Sequence, residues 1–318
     1  LGRLAAIRSD DESAESMFQE ALAKAQKRSQ RALEAKILAD LCTLYSRHGD
    51  YDRASELHQR SIILAESIGD SELVAEVRMV MSEFLVDVGR IDEAVKALKE
   101  SKKTFKKLGE SHTGGHCRLR IGWLQWLQGK YKEAARSLRK THKVFQEFDD
   151  QRGVTLCKLF LSSLALSIGR QKEARSLVNA ASTGFEKIGD RRHCADCLLI
   201  KGRLAREGGD HKEALSLFGE ALREFEDLDL DRGVRAAQAW RALVLEQSGR
   251  HDEVDQILGI FEDLDIVDVG SEEFLATALD ELSELLNSRS PMAAIDLADR
   301  AEKIFRKMGR PVREHSDG

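Results

Sequence analysis

HGDYDRA, residues 48–54, returns as VGRIDEA at 88–94, QGKYKEA at 128–134, IGRQKEA at 168–174, GGDHKEA at 208–214 and SGRHDEV at 248–254. Gly49, Gly89, Gly129, Gly169, Gly209 and Gly249 are each forty residues apart, and five residues after each comes Ala54, Ala94, Ala134, Ala174, Ala214 or Val254. A constant period of this length marks a stacked array of small units rather than a globule built round one core. Around Gly129, the preceding stretch RLRIGWLQWLQ is apolar on more than one face. The following stretch YKEAARSLRKTHKVFQEF carries Tyr131, Ala134 and Phe145 at helical spacing. The glycine falls where one helix stops and the next begins, a place that favours left-handed backbone angles. Each forty-residue unit therefore reads as two antiparallel helices, A before the glycine and B after it, with the small residue letting A approach B closely.

Other residues keep the same step. Phe105, Phe145, Phe185, Phe225 and Phe305 fall near the end of helix B and read as core between units. The strings SIGDSE, KLGESH, EFDDQR, KIGDRR and DLDLDR lie between units, and their Gly and Asp residues suit helix stops and N-caps. Cys117, Cys157 and Cys197 occupy one repeated slot that Ala237 fills next, so they read as a small buried packing site. Arg289 takes the glycine position of a degenerate last unit, Pro291 sits in the first turn of its helix B, and Gly309 and Pro311 end it.

Composition agrees. Two prolines in 318 residues and 33% charged residues suit continuous helix. No long apolar run spans a membrane, and the first residues, LGRLAAIRSDDE, lack a signal peptide's apolar region. Five cysteines without framework spacing suggest reduced thiols and a cytoplasmic protein.

The unit resembles the tetratricopeptide repeat in a long form of about forty residues. Leu41, Tyr45, Gly49, Asp50, Tyr51 and Ala54 carry the resemblance in one unit, Ile121, Gly122, Gly129, Tyr131 and Ala134 in another, and Gly202, Gly209, Ala214, Phe218 and Ala221 in a third. The expected fold is all-α, an α-solenoid forming a right-handed superhelix of antiparallel helix pairs. Its units span 1–29 in part, then 30–69, 70–109, 110–149, 150–189, 190–229, 230–269 and 270–309 as one domain. Ala14, Phe18 and Ala21 place a helix B at about 10–28, and Leu1 and Gly2 fall mid-way along its helix A. We therefore expect a fragment of a longer protein with more repeats or another domain upstream.

The resemblance implies that helix A lines a concave face. One register slot reads Thr43, Glu83, Trp123, Ser163, Arg203, Leu243; three residues on, it reads Ser46, Val86, Trp126, Leu166, Arg206, Glu246. Trp123 and Trp126, flanked by Leu119 and Arg120, with Phe160 and Leu166 on the next helix A and Arg203 and Arg206 beyond, form a candidate partner-binding surface. Burial of both tryptophans in the core is the competing reading, and core is favoured for Trp240. Peptide-gripping members of the family use asparagines on helix A. This chain has only Asn179 and Asn287, which favours a helix or folded surface over an extended peptide as partner.

Charge is segregated. Residues 96–143 hold 14 Lys/Arg against 3 Asp/Glu, whereas residues 220–284 hold 5 against 19, in a chain of net charge −5. Lys96, Lys99, Lys103, Lys106 and Lys107 form an electrostatic patch that is either a solvated face or a means of steering an acidic partner, a second copy included. Nucleic acid fits poorly with an acidic chain that carries no recognition motif. No phosphate loop or nucleophile elbow is present, and His193-Cys194-Ala195-Asp196-Cys197 is too sparse for a zinc site. The expected function is a non-catalytic protein-interaction scaffold without cofactor or metal. The alternative is a ligand- or peptide-sensing domain of a larger signalling protein such as an ATPase, kinase or transcription regulator.

Overall fold

A computed structural model of the chain describes residues 11–47, 50–262 and 273–310, together with Gly2, which is helical. The described residues form fifteen α-helices and no strand. These are α1 (Asp11–Lys27), α2 (Arg31–Arg47), α3 (Tyr51–Ile68), α4 (Ser71–Asp87), α5 (Ile91–Lys107), α6 (Ser111–Leu127), α7 (Tyr131–Glu147), α8 (Gln151–Ser167), α9 (Gln171–Ile188), α10 (Arg191–Glu207), α11 (His211–Asp227), α12 (Asp231–Gln247), α13 (His251–Glu262), α14 (Glu273–Leu286) and α15 (Pro291–Lys307). Every helix but α14 starts a multiple of twenty residues after α1, so the forty-residue period of the sequence is two helix-plus-turn steps. Gly49, residues 263–272 and Pro311 lie outside the described residues. None of the described helices is long and apolar enough to cross a membrane.

The turn explains the step. At nine glycines from Gly69 to Gly309, φ lies between 67° and 82°, and Ser29, Asp149 and Asp229 hold the same slot at 54°, 53° and 50°. At Gly209 the amide donates to Arg206 O at 2.9 Å, and the Asp210 amide donates to Ala205 O at 3.0 Å. This paired closure satisfies carbonyls that the end of α10 would otherwise leave open. Asp210 then turns its carboxylate to the next helix, accepting from the Glu213 amide at 2.9 Å. One residue thus ends a turn and caps a helix, and the chain reverses in three residues. Asp50, Asp70, Asp150 and Asp190 cap α3, α4, α8 and α10 in the same slot. Arg90, Arg170 and Arg250 stand there without a capping bond and instead pair with Glu93, Glu173 and Glu253 one turn on.

The chain forms two compact units, residues 1–124 with 136–149, and residues 125–135 with 150–318. In the first, α1 to α5 each pack on their sequence neighbours, and α2 packs on α4. In the second, α8 to α13 run the same way, α14 pairs with α15, and α12 packs on α14. Ala54, Ala94, Ala134, Ala174, Ala214 and Val254 are fully buried, as are Phe145, Phe185 and Phe218. Helix A lies so close to helix B at Gly202 that a Cβ there would sit 2.5 Å from the Phe218 ring, and at Gly122 one would meet Leu138. Cys117, Cys157, Cys197 and Ala237 are all fully buried. Burial pushes the Cys157 thiol up to about 12 and that of Cys117 to about 11, so the repeated slot holds inert packing thiols.

The turn geometry gives a test by urea unfolding. Nothing lies within 4 Å of a Cβ placed on Gly209, so Gly209→Ala pays only for its backbone angle and is expected to lose about 1 kcal/mol. Asp229→Gly relieves the same strain and should gain up to about 1 kcal/mol. Gly202→Ala, which meets the Phe218 ring, should cost more, about 1–3 kcal/mol.

Candidate functional site

In the unit of residues 1–124 with 136–149, α6 presents Leu119 buried and Trp123 half-buried. Arg120 is drawn onto α4, where its guanidinium donates to Met79 O at 3.0 Å and pairs with Glu83. The lysines of α5 are arranged by its amphipathic period. Ile91, Ala94, Leu98, Ser101 and Phe105 are buried, while Lys96, Lys99, Lys103, Lys106 and Lys107 are exposed. Lys102 lies at the edge of this face. Burial lowers its pKa first, and the charges of Arg118, Lys99 and Lys140 lower it further, so cations from α5, α6 and α7 crowd one place.

In the unit of residues 125–135 with 150–318, the remaining predicted residues meet side chains that sequence reasoning did not join to them. Trp126 is buried, and its indole N–H donates to Ser167 Oγ at 3.0 Å. Leu166 is buried and Phe160 half-buried on α8. Arg203 and Arg206, one turn apart on α10, both lie over the Trp240 ring of α12, with guanidinium carbons 4.7 and 5.1 Å from its centroid. Arg203 also lies 5.4 Å over Phe274 of α14, whose ring is 6.2 Å from that of Trp126. Arg206 Nη1 donates to Glu281 Oε2 at 2.5 Å across 75 residues of sequence. At the end of α6, Arg310 Nε donates to Leu127 O at 2.8 Å, placing a cation on carbonyls at a helix C-terminus.

Helix A residues are thus exposed differently in the two units. Thr43, Glu83 and Trp123 remain part-exposed in the first, whereas Ser163, Arg203 and Leu243 are buried in the second. Trp240 is fully buried under the two arginines. Its place in the core is legible in the sequence, but its role as a platform for Arg203 and Arg206 is not. Phe274 and Glu281 sit in the degenerate last unit, where the repeat text fails, and Arg310 acts across 183 residues. Asn179 and Asn287 are both exposed, and Asn179 is on α9, a helix B.

These distances describe a cation–aromatic cluster on the helix A side. No protein-family model matches the sequence, and no curated protein is similar enough to count as a relative. Solved structures do match in fold. The Rap conjugation regulator of plasmid pLS20, solved with the Phr* peptide, aligns with 87% of this chain and 74% of its own at a TM-score of 0.68 and 14% identity. A Rap protein complexed with competence and sporulation factor aligns with 96% of both chains at 0.66 and 13% identity. NprR in complex with its cognate peptide NprX aligns with 87% of this chain and 82% of its own at 0.60 and 18% identity. At these identities the likeness is one of fold: the chain is an α-solenoid of the tetratricopeptide type.

The sequence His193–Cys197 serves structure. Asp190 caps α10 and accepts from His193, whose Nδ1 lies 2.7 Å from Asp190 Oδ1, and the imidazole stacks on Phe185 at 4.9 Å. Burial pushes the Asp190 carboxyl up. The hydrogen bond and charge of His193, with the charge of Arg152, outweigh this and hold it at about 2. A carboxyl lower in the folded than in the unfolded chain contributes stability above its ordinary value, and loses it as pH falls through about 2. Asp190→Asn keeps a capping oxygen but removes the charge. We expect it to lose about 1–2 kcal/mol near pH 6, with the difference from the unmodified protein shrinking as pH drops from 4 toward 2, read by urea unfolding at each pH.

Proposed function

We propose that this chain is a non-catalytic interaction module of regulatory type, which binds a peptide or protein segment on the helix A side of the unit of residues 125–135 with 150–318. One observation carries the reading. Arg206 and Phe274 stay part-exposed there over the buried Arg203, Trp240 and Trp126, the five side chains coming from four helices, and arginine is among the residue types enriched at binding hot spots. The fold likeness to Rap and NprR structures solved with peptides or a signalling factor supports it. It also favours the sensing alternative, in which ligand occupancy changes how the helix pairs stack. The partner is read as protein in nature, not nucleic acid or membrane, and the place of action as the cytoplasm.

Capture tests this reading. Immobilised protein is exposed to native lysate, and retained proteins and small peptides are identified by mass spectrometry, beside Arg206→Gln and Trp123→Ala. A peptide or protein retained by the unmodified chain, and weakened about ten-fold or more by Arg206→Gln, is the expected result. Turnover of a substrate by the purified chain, or capture indifferent to every variant, overturns it.

The crowding of Lys99, Lys102, Arg118 and Lys140 favours a second reading for the lysine face, steering of an acidic partner that includes the acidic stretch of another copy. Sedimentation then shows a larger mass at about 50 mM than at about 500 mM salt, where the screening length is a few ångströms. Equal mass at both removes self-association.

A further inference from the structure

The Arg206–Glu281 pair ties α10 to α14, which also meet where Arg203 lies over Phe274, while α12 packs on both. The two partners are unequally buried. The Arg206 side chain is 10% exposed and that of Glu281 36%, so the carboxylate lies on the solvent side of the guanidinium. Arg206 uses one arm of its fork. Its Nε is buried and meets no acceptor among the described residues, and the same holds for the indole N–H of Trp240, the ring it stacks on. Both groups are donors only, and a guanidinium accommodates a carboxylate with two parallel bonds. The idle donors are covered, but Arg206 is a nearly buried cation whose charge is met by one half-exposed internal carboxylate, an arrangement suited to exchange with another oxyanion.

We propose that Glu281 stands in for a partner's carboxylate. An aspartate or glutamate side chain of a bound peptide takes the Arg206 guanidinium through both arms, and Glu281 is released to water. The exchange favours the incoming group. Glu281 already faces solvent and rehydrates easily, whereas Arg206, deep against Trp240, cannot be left uncovered without a large penalty. For the same reason a neutral side chain cannot replace it, since displacing Glu281 without supplying a charge strands the cation. The exchange also removes one of the two ties between α14 and α10, the other being Arg203 over Phe274, so occupancy by an acidic peptide is reported to the helix pair α14 and α15. This rests on the proposed peptide-binding reading and specifies both the ligand's charge and the element that responds.

The probes are two pools of acetylated, amidated hexapeptides, identical except for a fixed central glutamate in one and glutamine in the other. A third is the glutamine pool with a free C-terminus. Binding is followed by tryptophan fluorescence on the unmodified chain, Glu281→Gln and Arg206→Lys. The glutamate pool is expected to bind at least about ten-fold tighter than the glutamine pool, and about three- to ten-fold tighter still to Glu281→Gln, which lacks the internal competitor. Arg206→Lys keeps the charge, loses the fork and should narrow the preference. In the absence of peptide, Glu281→Gln should speed hydrogen exchange in α14 and leave α8 and α9 unchanged. Equal binding of the two amidated pools, binding only by the free C-terminus, or a Glu281→Gln chain that behaves like the unmodified one in both assays overturns the stand-in while leaving the peptide-binding reading intact. If no pool binds, the stand-in is overturned too, and the capture experiment decides the broader reading separately.

Discussion

The structure depends on a turn of three residues whose middle member is left-handed. Closing a helix with two backbone bonds and opening the next with the adjacent aspartate leaves few terminal amides and carbonyls unsatisfied. It also fixes the reversal so tightly that helix length has little freedom. Seventeen or eighteen residues per helix over α1 to α12 follow from the constant spacing of those stops. Where the slot carries Asp149 or Asp229 in place of glycine, the backbone still adopts the angle, because neighbouring pairs determine the path.

Once the helices are cut to one length, small residues decide how near they come. Alanine in the second turn of helix B, and glycine opposite a phenylalanine or leucine, let each pair close to backbone-limited distance. The thiols of Cys117, Cys157 and Cys197 fill a slot that admits little more than a methyl group, as Ala237 shows. The main contacts among the elements are accordingly between sequence neighbours and between successive A helices, the nearest-neighbour pattern of a repeat array. Stability in such an array is distributed, so a single helix face can be given to recognition without endangering the whole.

That freedom is used differently in the two units. On α5, a strongly amphipathic helix turns its lysines to solvent, and charge from two neighbouring helices gathers beside them. On α10, two arginines turn inward and are held over aromatic rings that exclude water. The first arrangement acts at long range and is sensitive to salt. The second acts only at contact, where a desolvated guanidinium discriminates strongly between a charged and a neutral guest.

The sequence by itself determined the helix pairs, their length, the stops and most of the caps (Leu230 stands at the start of α12 without a capping bond), the buried alanines, the repeated phenylalanines except the half-buried Phe305, and the inert cysteine slot. Each depends on residues within one forty-residue period, and periodicity makes local chemistry legible. It also singled out Trp126, Arg203 and Arg206, because their register places them on helix A. What only the tertiary structure decided is which side chains they meet. Trp240 beneath the arginines, Phe274 beside Trp126, Glu281 on Arg206 and Arg310 on the end of α6 are contacts between different forty-residue repeats. Such contacts carry no periodic trace, because they depend on how one helix pair is placed against another, and no single repeat encodes that placement.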